Sequence, residues 1–76
     1  MTPQIIQQLI EQCMPEAQVT VSGAEGKFSA EVISPQFEGL MTIKRHKLVY
    51  ACVHAEITSG ALHALTIVTK TPAEAA

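Results

Sequence analysis

Residues 17–32 constrain the fold more than any other stretch. Ala17, Val19 and Val21 alternate with Gln18, Thr20 and Ser22, and Phe28, Ala30 and Val32 alternate with Ser29 and Glu31. A period of two sends successive side chains to opposite faces, so each half predicts a strand with one apolar face. Between them, Gly23-Ala-Glu-Gly26 offers the positive-φ positions that a tight loop requires, which makes an antiparallel hairpin the simplest connection. The rest of the chain has to cover that apolar face.

Helical periodicity supplies the cover. Thr2 can cap a helix and Pro3 suits its first position, after which Ile5, Ile6, Leu9, Ile10 and Cys13 recur on one side as far as Met14; Pro15 then excludes helical dihedrals for the residue before it. Ser34-Pro35 repeats the cap-then-proline signal and Gly39 follows closely, predicting one short turn over Pro35 to Glu38. A longer helix is expected from about Thr42 to Ile57, with Ile43, His46, Val49, Tyr50, Val53 and Ile57 as its apolar stripe, Lys44 and Lys47 on the wet side, and Ser59-Gly60 as its end. Leu62 to Thr69 carries β-branched residues on both faces, which predicts a third strand in a central or well-covered position. Helix, two strands, two helices and a strand make an α+β domain with a three-stranded sheet and helices packed on one face. The Ala-Glu-Ala-Ala end is expected to fray.

Size and charge narrow the class. A chain of 76 residues fits one domain, residues 1–76, since a domain this small buries only about 60% of its unfolded surface and has no room for a second core. Its apolar runs fall far short of the ~20 residues needed to cross a bilayer, so no membrane partner is expected. The start lacks the charged and apolar segments of a secretion signal, which predicts a cytoplasmic location. Two cysteines, Cys13 and Cys52, with no C-x-x-C spacing predict reduced thiols packing like small hydrophobes. The net charge is −2, yet Lys44, Arg45 and Lys47 account for three of the five basic residues. A local basic patch survives in an acidic molecule.

Several separated motifs then stand in one order: Phe37-Glu-Gly39, Arg45-His46-Lys-Leu-Val-Tyr50, Ala55-Glu-Ile57, His63-Ala-Leu65 and Thr69-Lys-Thr-Pro72. Together they resemble the signature of the BolA family, in particular its short bacterial YrbA/IbaG-like branch, over almost the whole chain. The resemblance implies an αββααβ arrangement akin to the type II KH fold. It implies a non-enzymatic adaptor that pairs with a monothiol glutaredoxin of the CGFS type and shares a bridging [2Fe-2S] cluster with it, in iron-sulfur trafficking or iron sensing. The histidine of the H-A-L motif, here His63, is the ligand this implies. An imidazole in place of a thiolate removes negative charge from a cluster and raises its reduction potential. The chain departs from the family pattern in the hairpin loop, where Lys27 occupies the place of a usual histidine. A protonated lysine has no acceptor lone pair. Glu25 is the remaining, weaker oxygen donor there. The tryptophan that usually follows Thr-Pro-x-Glu is replaced by Ala75, so a final helix anchored by an aromatic ring is not expected.

The runner-up reading is a KH-like nucleic-acid-binding regulator using Lys44, Arg45 and Lys47 against phosphates. Gly23-Ala-Glu-Gly26 spells G-x-x-G, but it joins two strands, whereas a KH loop presents its backbone between two helices. Neither cysteine has a histidine beside it in sequence, and no nucleophile and base recur at a recognisable spacing, so no catalytic residues are assigned. His46 is expected to be partly buried on the long helix and His54 to be solvated. Alone, the chain is expected to be a monomer, with a homodimer as the other state.

Overall fold

A computed structural model describes residues 1–25 and 27–76. Gly26, the second glycine of the expected loop, lies outside the described residues. Helix α1 spans Pro3–Cys13, β1 Gln18–Ala24, β2 Lys27–Ile33, α2 Thr42–Cys52, α3 His54–Thr58, β3 Ala64–Lys70 and α4 Pro72–Ala75, with a 3-10 turn at Pro35–Phe37. The α+β architecture is the one read from the sequence.

The caps act as the sequence indicates. Thr2 Oγ1 accepts the Ile5 N–H at 3.3 Å, and Ser34 Oγ accepts the Gln36 N–H at 3.1 Å, each just before a proline at the first helical position. β1 and β2 pair antiparallel from Gln18 opposite Ile33 to Ala24 opposite Lys27. Gly23 is irreplaceable there. Its φ is +129°, and a Cβ would run into the Lys27 carbonyl oxygen and come within 2.8 Å of the Phe28 Cα, both backbone atoms that cannot swing away.

Val19, Phe28, Ala30, Val32 and Ile67 are buried on one face of the sheet, while Thr20, Ser22, Ser29, Thr66 and Val68 are exposed on the other. Ile6 and Ile10 of α1, Val49 of α2, Val53, and Phe37 from the 3-10 turn close over the apolar face; all five are fully buried. The helical cover therefore sits on one side, as side-chain alternation requires.

Four local expectations are corrected. The helix expected over Thr42 to Ile57 is two helices, because Val53 between them has φ −120° and ψ 18° and bonds its N–H to the Tyr50 carbonyl. Val53 at the break is fully buried, while Ile43 is 71% and Ile57 38% exposed despite their places in the stripe. The third strand is an edge. The sheet order is β1-β2-β3, with β3 parallel to a central β2, so the β-branched Val68 faces outward. The cysteines are not free: Cys13 and Cys52, the last residues of α1 and α2, are joined as a disulfide with Cα atoms 5.6 Å apart. Packing of α1 against α2 brings together two residues that no spacing rule connects.

The fourth correction concerns the end of the chain, which forms α4 rather than fraying. Thr71 and Glu74 make a reciprocal capping box, with Thr71 N–H donating to the carboxylate at 2.8 Å and Glu74 N–H donating to Thr71 Oγ1 at 3.2 Å. Arg45 of α2 anchors this turn, its guanidinium donating to Glu74 Oε1 at 2.7 Å. These bonds, the Arg45 guanidinium first and the Thr71 N–H second, hold the Glu74 carboxyl below its ordinary value. A group whose folded pKa is depressed stabilises the fold above its unfolded pKa and loses that contribution as pH falls through the folded value. Acidification past the ordinary glutamate range and through the lowered Glu74 value is therefore expected to loosen α4 from α2. Thermal melts of wild type and Glu74→Gln across this range check it: the wild type should lose stability more steeply, and parallel curves would refute the assignment.

Candidate functional site

His63 is presented by a short, well-anchored connection. Gly60, at φ +82°, donates its N–H to the Ile57 carbonyl at 3.1 Å and turns the chain away from α3. Ala61 N–H donates to Ser59 Oγ at 3.3 Å, and Leu62 plugs the core at 2% exposure while its N–H donates to the Glu56 carbonyl at 3.0 Å. With Leu62 fixed on one side and β3 beginning at Ala64 on the other, His63 is held on the surface, exposed. Among the described residues, the histidine ring with a hydrogen bond is that of His54, to Thr58 Oγ1 at 3.5 Å. The His63 imidazole is open to solvent.

Strand register decides what stands next to it. β3 pairs with β2 so that Ala64 is opposite Lys27 and Leu65 opposite Phe28. Adjacent strands run about 4.8 Å apart, so Lys27, the first residue of β2, and His63, just before β3, occupy the same end of the sheet. Glu25 takes a left-handed conformation in the turn, with φ 57°. Of the loop positions singled out in the sequence, Lys27 is thus placed at the His63 end of the sheet. Tyr50 braces this corner, its hydroxyl donating to the Leu65 carbonyl at 3.3 Å.

The basic patch divides. Lys44 and Lys47 are exposed on α2 as expected. The Arg45 side chain is only 13% exposed: its Nε donates to the Leu40 carbonyl at 2.8 Å, its Nη1 to Glu74, and its guanidinium carbon lies 5.9 Å from the Phe37 ring centroid. It anchors α2 to α4 and to the 3-10 turn. Two cations remain on the wet face, beside a groove lined by Met41, Thr42 and Ile43, with Met41 80% exposed. His46 is half-buried and His54 exposed.

Sequence reasoning missed the Arg45–Glu74 pair and the cysteine bond, which depend on contacts across 29 and 39 residues. The Thr71 and Glu74 spacing of a capping box was the one local signal available for the first.

Comparison with known proteins agrees with this fold. The family model described as BolA-like protein matches residues 4–74. An uncharacterized protein of the rpoN-murA intergenic region from Acinetobacter guillouiae is 37% identical over 67 residues, covering 88% of this chain and 81% of that relative. Human BolA-like protein 1 is 46% identical over 52 residues, but the chain spans only 37% of its length. Among solved structures, a bolA protein homologue from Coxiella burnetii superimposes with a TM-score of 0.89 at 37% identity, covering 99% of this chain and 96% of that one. The BolA domain of SufE1 from Arabidopsis thaliana superimposes with a TM-score of 0.81 at 33% identity, covering 95% of this chain and 93% of that one.

Proposed function

This chain belongs to the BolA-like protein family, and from that premise we propose that it is an adaptor that pairs with a monothiol glutaredoxin and contributes His63 to a bridging [2Fe-2S] cluster. The observation that supports the reading is the exposed imidazole of His63 at the rim of the sheet, fixed from behind by Leu62.

The donor set suits a shared site and not a closed one. Among the described residues, no three His, Cys, Asp or Glu side chains gather to hold a metal. Fe-S clusters need four protein or thiol ligands in total, and neutral imidazole is an accepted replacement for thiolate on one iron. One nitrogen from this chain, with thiolates from a partner, meets that requirement; the residues present fit. Lys27, beside Ala64 in the register, supplies no lone pair while protonated, so His63 carries this chain's share. Relatives with iron-sulfur associations point the same way: one solved neighbour is a BolA domain within a SufE protein. The chain's role in this reading is binding, without catalysis.

The test mixes the protein with a cluster-loaded monothiol glutaredoxin under reducing conditions and follows visible circular dichroism. Wild type is expected to change the cluster spectrum and His63→Ala to leave it as it was. Lys27→His is expected to change it further, because position 27 lies on the strand next to His63. A His63→Ala protein that shifts the spectrum as the wild type does would remove the proposal.

A further inference from the structure

We propose that Cys13 and Cys52 form a reversible thiol–disulfide exchange site whose reactant is a low-molecular-weight disulfide of the glutathione class. The site stands independently of the cluster reading.

Packing positions the two sulfurs without help from the bond. Ile10 and Met14, which flank Cys13, and Val49 and Val53, which flank Cys52, are all buried, so the ends of α1 and α2 are held together by apolar contacts. The Cα separation of 5.6 Å lies in the middle of the span a disulfide bridges without backbone movement. A reduced chain therefore keeps its thiols poised to close. These are the only two cysteines in the sequence, so no internal competitor exists.

The two thiols are not equivalent. Cys13 is exposed, whereas Cys52 is half-buried against the core, and its Sγ lies 3.3 Å from the Leu48 carbonyl oxygen, where a free thiol donates a hydrogen bond. Cys52 is therefore the less accessible of the two to a small disulfide arriving from solvent. Cys13 is the entry point and Cys52 the resolving group. In the forward direction the Cys13 thiolate attacks one sulfur of the small disulfide and expels one small thiolate, leaving a mixed disulfide on Cys13. Cys52, losing its proton to solvent, attacks the Cys13 sulfur and expels the second small thiolate. The protein loses two hydrogens in all and the small disulfide is reduced to two thiols; excess small thiol runs the sequence backwards.

Both cysteines end their helices, so the bond clasps the last turn of α1 to the last turn of α2. It joins α1 to the helix whose Tyr50, two residues before Cys52, braces β3 just beyond His63.

Equilibrating the full-length reduced protein in graded mixtures of oxidised and reduced glutathione, then trapping with an alkylating reagent and weighing the intact chain, tests the site. Wild type is expected to pass from two alkyl groups to none in one step, as a monomer. Cys52→Ser is expected to accumulate a glutathione adduct on Cys13, and Cys13→Ser to form one on Cys52 at least about tenfold more slowly. Wild type that keeps two alkylatable thiols in the most oxidising mixture, or closes its cysteines between chains, would overturn the proposal; so would equal adduct rates in the two variants. The wild-type arm needs no substitution and decides the matter if a variant folds poorly.

Discussion

Reducing the Cys13–Cys52 bond is expected to remove about 4 kcal/mol of stability and to lower the melting temperature by roughly 15–30 °C. The bond closes a loop across a sequence separation of 39, half of the chain, and its effect lies mainly in the unfolded state. Cross-linked, that ensemble cannot explore conformations in which the two helices separate; reduced, it can. The native contacts change little, since the buried neighbours of each cysteine stay packed. A domain of this length is stable by only about 4–11 kcal/mol in total, so the bond is a large share of the whole. Thermal melts with and without a reductant measure it, with a Cys13→Ser, Cys52→Ser protein as the control whose melt the reductant should not move. The reduced wild type should also show a larger urea m-value, because its unfolded chain exposes more surface. Coincident melts of oxidised and reduced wild type would show that the native helices, not the loop closure, carry the stability.

How much of this was legible in the sequence follows from which features are local. Thr2-Pro3 and Ser34-Pro35 started helical turns because a hydroxyl and a fixed φ act within three residues. The hairpin was readable for the same reason: its alternation and its glycine at φ +129° are both short-range. Val53 was not. The i, i+3, i+4 stripe runs through it unbroken, and the break coincides with a side chain fully buried in a core contributed by other elements, which no local pattern encodes. Nor does a β-branched strand announce whether it is central or at an edge; the order β1-β2-β3 is decided by how α2 and α3 return the chain beside β2. At the candidate site, His63 came from the resemblance and not from periodicity, and the nearness of Lys27 to it needed the register of β2 on β3. Arg45 shows the opposite failure. It was grouped with Lys44 and Lys47 by sequence neighbourhood, although residues one and two apart on a helix point in different directions.

Phe37→Ala is expected to cost about 4 kcal/mol, comparable to the loss of the disulfide but for a different reason. The ring is fully buried although it stands on a three-residue turn, because Ser34 and Pro35 fix the backbone that delivers it. Truncation leaves a cavity whose far side is the Arg45 guanidinium, 5.9 Å from the ring centroid. The cost is then the lost transfer of an aromatic side chain, plus an unfilled space, plus a cation that loses its π-face neighbour. Phe37→Leu separates these contributions, since it keeps most of the volume and removes the ring face; about 1–1.5 kcal/mol is expected for it. Coupling should be visible at the end of the chain, because the same guanidinium holds Glu74. Adding Glu74→Gln to Phe37→Ala is therefore expected to cost less than it does in the wild type, as Arg45 is already released from its fixed position. Urea unfolding of the wild type, the three single variants and the double variant measures both quantities. A Phe37→Ala midpoint close to that of Phe37→Leu would mean that the ring's volume is not what the core requires, and full additivity with Glu74→Gln would mean that Arg45 holds α4 without support from the 3-10 turn.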